Sequence, residues 1–202
     1  MTRFRSASFP LAPSIGVALS LLLAGCSTDT RTSAQFLAST TVAAPGLVKL
    51  EAKSISESRV VVDVLIHGPE PDLDLNAFVF GIQIGDPDLV RFVPQASYLQ
   101  TALAADADQS IDIDVDGTSD PSLVAIVVQK RGSASGNGFA SESAIVIELT
   151  FEAQGDGTTS LAFVGLGENP PTAFDSSRAP IAAVRFDAEK SGVSVVTTEN
   201  GY

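Results

Sequence analysis

Tryptophan is missing from this chain, tyrosine occurs twice, and histidine, cysteine and methionine occur once each among 202 residues. A lone histidine, His67, leaves little room for acid–base chemistry. A Ser-His-Asp triad would need it as the base, and no G-x-S-x-G turn marks a nucleophile. His67 ends an apolar run beside "GPEPD", which is the place of a surface residue. One cysteine permits no internal disulfide, and cysteine- or histidine-rich metal spacing is absent. Basic residues are scarce as well, 12 against 24 acids, for a net charge of −12. Phosphates would repel such a chain, which excludes nucleic acid as a partner. No window repeats apolar residues at i, i+3, i+4 and i+7, so no long amphipathic helix is expected. Nothing among the acids singles out a carboxylate pair for glycoside cleavage. The expectation is a protein that is not an enzyme and has no catalytic residues.

The single cysteine has a telling place. Met1–Pro10 carries Arg3 and Arg5 and no acid, and Ile15–Ala24 is nearly all apolar. That run suits a signal-peptide core and is too short to span a bilayer, which takes about 20 apolar residues. Leu23-Ala24-Gly25-Cys26 then resembles the bacterial lipobox. Small residues let a peptidase lay the backbone in a narrow cleft, and the Cys26 thiol accepts a diacylglycerol. Residues 1–25 are therefore expected to be a lipoprotein signal peptide, and Cys26 the lipidation site. Their removal leaves 177 residues with ten bases against 24 acids, a charge of −14. Acyl chains anchor at roughly 0.8 kcal/mol per buried methylene, while the acidic body should avoid anionic lipid. In the sorting scheme that comes with the lipobox resemblance, Asp after the cysteine favours the inner membrane. Ser27 stands there, so an exported protein anchored to the outer membrane is expected. Residues 26–45, rich in Ser, Thr and Ala, read as a flexible tether.

From Leu47 the apolar pattern has period two. Val60, Val62, Val64 and Ile66 alternate with more polar neighbours; so do Phe78, Phe80, Ile82 and Ile84, and Val124, Ile126 and Val128. Ile145, Ile147, Leu149 and Phe151 are expected on one face, opposite Val146, Glu148, Thr150 and Glu152. Shorter runs follow at "TTSLAFVG", "IAAVRFDA" and "GVSVVTT", separated by turns such as "GDPD", "QGDG" and "GENPP". Alternating strands between Gly/Pro/Asp turns predict an all-β antiparallel sandwich. A single domain over 46–198, with a tail at 199–202, suits that length.

The order of motifs resembles the cohesin family, within the wider group of cohesin and carbohydrate-binding-module jelly rolls. An aromatic-x-aromatic-x-aliphatic strand (Phe78, Phe80, Ile82) runs into a D-P-x-L turn at Asp86, Pro87 and Leu89. Later, Leu149, Thr150, Phe151 and Ala153 precede a turn with Gly155 and Gly157, then Leu161 and Phe163. The resemblance implies a nine-stranded antiparallel β-sandwich with jelly-roll topology, and docking of a protein partner, dockerin-like in that family. It also implies that the third, fifth, sixth and eighth strands share the docking sheet. Alternation then puts Val79, Gly81 and Gln83 of the third strand outside, with Ala125, Val127 and Gln129 of the sixth. The eighth adds Ala162 and Val164, and the fifth adds Asp112, Asp114 and Asp116. The expected face is flat and apolar, with an acidic border, as a docking site needs. Two other readings stand beside it. One is a carbohydrate-binding module linked to polysaccharide use, although glycan rings stack on exposed aromatics and few are available here, chiefly Tyr98, Phe139 and Phe174. The other is a structural envelope spacer.

"DIDVDGTSD" raises calcium. Asp112, Asp114, Asp116 and Gly117 match the first half of a calcium loop, and Asp120 fits its ninth position. The twelfth position, which should be a bidentate carboxylate, is Leu123. Ile111, Ile113 and Val115 alternate between the acids as in a strand, so a charged strand edge competes with a calcium site. No other cofactor is expected.

Overall fold

A computed structural model describes residues 29–68, 73–103, 105, 107–132 and 143–200, and Cys26, Phe139 and Tyr202 lie outside them. Among the described residues no helix forms. The strands are β1 (Asp29–Leu37), β2 (Leu47–Ser56), β3 (Arg59–His67), β4 (Ala77–Ile84), β5 (Val90–Val93) and β6 (Ser110–Asp116). They continue with β7 (Leu123–Arg131), β8 (Ser143–Ala153), β9 (Gly157–Val164), β10 (Thr172–Phe174), β11 (Arg185–Phe186) and β12 (Ser191–Asn200). The larger sheet runs β1-β12-β9-β4-β7-β6, with β10 also against β4; the smaller runs β11-β2-β3-β8-β5. Among the described residues every strand pairing is antiparallel except β11 with β2.

The protein is an all-β sandwich, as the alternation requires. Val60, Val62, Val64 and Ile66 of β3 and Phe78, Phe80, Ile82 and Ile84 of β4 are buried. Fully burying one such side chain contributes about 1.5–3 kcal/mol. Phe80 and Phe163 of the larger sheet meet Phe186 of the smaller, with ring centroids 5.2–5.7 Å apart. The two motifs that carry the family resemblance touch each other. Asp86 accepts hydrogen bonds from the Leu89 and Val90 amides, and the Leu89 carbonyl accepts one from Gln154. Leu89 then packs over Gly155 and Gly157, where a Cβ would come within 3.5 and 2.9 Å of its methyls.

Three expectations change. Residues 26–45 are not a free tether throughout, because Asp29–Leu37 pairs with β12 along its whole length. Ala34 is buried and its amide donates to Glu57 O at 2.9 Å. Ordered strand thus begins before 46, and β12 runs past 198 to Asn200. Twelve strands form among the described residues instead of nine. The extra three are β1, β10 and β11, the last being all that pairs of "IAAVRFDA". On β8, a bulge opposite Val64/Leu65 inserts Val146 into the core beside Ile147 and turns Ile145 partly outward. A bulge sets two residues of one strand against one of its partner, so alternation on its two sides is out of phase.

Candidate functional site: the outer face of the larger sheet

β9, β4, β7 and β6 lie side by side, so the strands expected as eighth, third, sixth and fifth share one sheet. Their registers stack the outward residues in rows. Asp116, Ala125, Gly81 and Val164 form one row. Asp114, Val127, Val79 and Thr172 form the next, followed by Asp112, Gln129, Ala77 and Phe174. On the other side, Gln83 faces Leu123 and Ala162. The centre is small and apolar, and β6 at the sheet edge supplies acids.

The face is less open than alternation alone implies. Gly81 is buried. A Cβ there would lie 2.8 Å from Leu123 and 3.1 Å from both Leu166 and Val164, so those side chains lean over it. The Gln83 amide donates to Ser122 O at 2.9 Å and ties down the start of β7. Val79, Ala125, Val127, Gln129, Ala162 and Val164 are half-buried. Phe174, a loop residue on the sequence pattern, belongs instead to β10. That strand sets it on this face, since its neighbour Ala173 is buried opposite Phe78. The signal that could have found it is the alternation in "TAF", which is too short to register.

On the acidic border, Arg131 pairs with Asp112. Asp114 is exposed. Asp116 turns its carboxylate to its own turn: the Ser119 hydroxyl donates to Oδ2 at 2.6 Å, and the Thr118 and Ser119 amides donate to Oδ1 at 3.0 and 3.1 Å. These donors hold the Asp116 carboxyl down to about 2. Asp120 is lowered likewise by the Ser122 hydroxyl and amide. Asp112, Asp114 and Asp116 alternate along an extended strand, and four residues of strand span about 13 Å. The segment has the geometry of the charged edge and is not coiled around a point. Among the described residues no cluster of three metal-binding side chains forms.

The smaller sheet presents a different outer surface. Glu51, Asp63 and Glu148 stand in one row across β2, β3 and β8, with Lys53 paired to Glu148. Glu152 binds Arg91 at 2.6 Å and faces Arg59 at 3.5 Å. Burial pushes the Asp63 carboxyl up, Lys53 pulls it down, and Glu148 and Glu51 push it up again. His67 lies at the same surface, its Nε2 3.1 Å from Glu51 and its side chain only 16% exposed. Tyr98 leans on the core, and its hydroxyl accepts from the Gln95 amide at 3.3 Å. Its ring is half-buried.

The architecture is similar to that of solved cohesins. The type II cohesin dyad from the adaptor ScaA scaffoldin of Acetivibrio cellulolyticus aligns with a TM-score of 0.51 at 11% identity, over 75% of this chain and 48% of that one. A type II cohesin domain from the cellulosome of the same organism gives 0.47 at 12%, over 74% and 92%. A type I cohesin–dockerin complex from Clostridium thermocellum gives 0.45 at 12%, over 78% and 96%. No family model matches the sequence. No curated protein matches it either. The fold is cohesin-like, and at these identities the likeness speaks for fold alone.

Proposed function

We propose that this protein is a lipid-anchored binding module of the cell envelope that docks a protein partner on the outer face of β9, β4, β7 and β6. The observation that carries the reading is the contrast between the two outer surfaces. One has Val79, Val127, Ala125 and Val164 at its centre with charge at its border, on β6 and at Arg131 at the end of β7; the other is crossed by Glu51, Asp63, Glu148 and Glu152. Interface cores are depleted in charge and ringed by polar residues, which fits the first surface and not the second. Phe174 at the corner adds the aromatic anchor that docking sites favour. A dockerin-like helical module is the partner type that the cohesin-like fold suggests. The anchor is Cys26, on the lipobox reading, with the outer membrane as the membrane favoured by Ser27. No catalytic step is part of this function.

Pull-down from the native envelope, followed by mass spectrometry, identifies the partner; titration of the purified pair then measures it. Val79→Glu or Val127→Glu should weaken binding by at least about 2 kcal/mol, roughly 30-fold, because each places a charge at a dry centre. Glu51→Lys on the other sheet should leave it unchanged. Equal affinity for all three variants would overturn the assignment of the face.

A further inference from the structure

We propose that Asp29–Ser33 and Val196–Asn200 form a stiff stalk that sets the height and facing of the docking sheet above a lipid surface. The inference rests on the lipid-anchor reading of Cys26. Only Ser27 and Thr28 separate Cys26 from the start of β1, and the three steps from Cys26 to Asp29 reach at most about 11 Å.

The larger sheet is strongly staggered. Ser191, Leu161 and Ile84 share one row, with β12 running away from it on one side and β4 on the other. β9 begins at Gly157, opposite Val195, so Val196–Asn200 pair with β1 alone. These residues and Asp29–Ser33 project beyond the sandwich as a two-stranded ribbon. At about 3.3 Å per residue, five residues make a stalk of roughly 15 Å. The far row of the face, at Ala77, lies nine residues of β12 and seven of β4 from the tip, about 50 Å along the strands.

An isolated ribbon is marginal in water, but this one continues a larger sheet. Thr32 and Thr197 face each other across it, their hydroxyls 3.5 Å apart. Its root is clamped by the bond from Ala34 to Glu57. The chain beyond β1 is pinned as well: the Thr41 hydroxyl donates to Asp187 at 2.7 Å and the Thr40 hydroxyl to Glu189 at 2.6 Å. The stalk answers a need set by charge. A body this acidic on a two-residue link would be pressed against anionic lipid; about 15 Å of ribbon clears the ~8 Å screening length of physiological salt.

The test uses the full lipoprotein in phosphatidylethanolamine/phosphatidylglycerol vesicles carrying acceptor-labelled lipid. A donor fluorophore is placed at Ser33→Cys, on the stalk, or at Ser110→Cys, beyond the far row. Energy transfer to the membrane should be several-fold greater from position 33 than from position 110. A Gly-Ser insert between Thr28 and Asp29 should lower transfer from position 33 several-fold, because slack lets the repelled acidic body stand farther from the anionic surface. Equal transfer from both positions, or indifference to the insert, would overturn the stalk. Protein that fails to float with the vesicles would overturn the anchor reading itself, and the stalk's membrane role with it. Circular dichroism of each labelled variant confirms that the sandwich is retained.

Discussion

Asp63 is the residue whose surroundings work against it. Its carboxyl lies between Glu51 and Glu148 in one cross-strand row, and its Oδ1 is buried without a hydrogen-bond partner among the described residues. A carboxyl raised in the folded state adds stability at low pH, which is lost as pH rises through the folded value. Asp63→Asn should therefore raise the melting temperature at pH 7, and the advantage should vanish near pH 3, where the native carboxyl is protonated. Asp116 has the opposite sign. Lowered to about 2, it stabilises above the ordinary aspartate value of about 4 and loses that effect as pH falls towards 2. Because its oxygens are already taken by Thr118 and Ser119, a chelator should leave the melting temperature unchanged. A drop on chelation, abolished in Asp114→Ala, would reinstate a calcium site.

At the scale of elements, β1 decides how the chain enters the domain. Ala34 is buried against the β12 core residues, paired with Val195, so this strand is part of the sandwich. Ala34→Asp should cost about 2 kcal/mol or more, read as a lower urea midpoint; a free tether would show no change. The sequence hid β1 because "DTRTSAQFL" is polar on its outer side and carries only Ala34 and Phe36 inward. A half-buried edge strand needs few apolar residues, and Ser and Thr are equally at home in a linker. β3, β4 and β7 were legible because each has at least three large apolar residues at strict alternation. β8 was legible as a strand but not in its facing, since a bulge leaves no mark in composition. The outward residues of β4, β7 and β9 followed from alternation, whereas the cover over Gly81 did not. That cover comes partly from Leu166, which the chain brings back after β9.

For the whole molecule, the two sheets hold together through one continuous core, and Phe80 sits where three rings converge. Phe80→Ala should destabilise by about 3–5 kcal/mol, since surrounding side chains on two sheets cannot collapse into the space. The denaturant midpoint would fall with one cooperative transition retained; separate transitions would mean that the sheets are independent. Staggering of the larger sheet places the apolar face towards one end and the chain's entry towards the other, so the proposed docking face and the proposed anchor lie at opposite ends.

By itself the sequence determined the all-β class, the inward and outward residues of the central strands, and the family of architectures to consider. Those properties follow from period-two burial, which is local. Only the tertiary structure decided that Asp29–Leu37, within the supposed tether, is a strand, that a bulge refaces β8, that Phe174 joins the face and that Leu166 leans over Gly81. Each depends on which distant segments become neighbours, and pairing energy is spread across two strands at a time, so neither strand announces its partner alone.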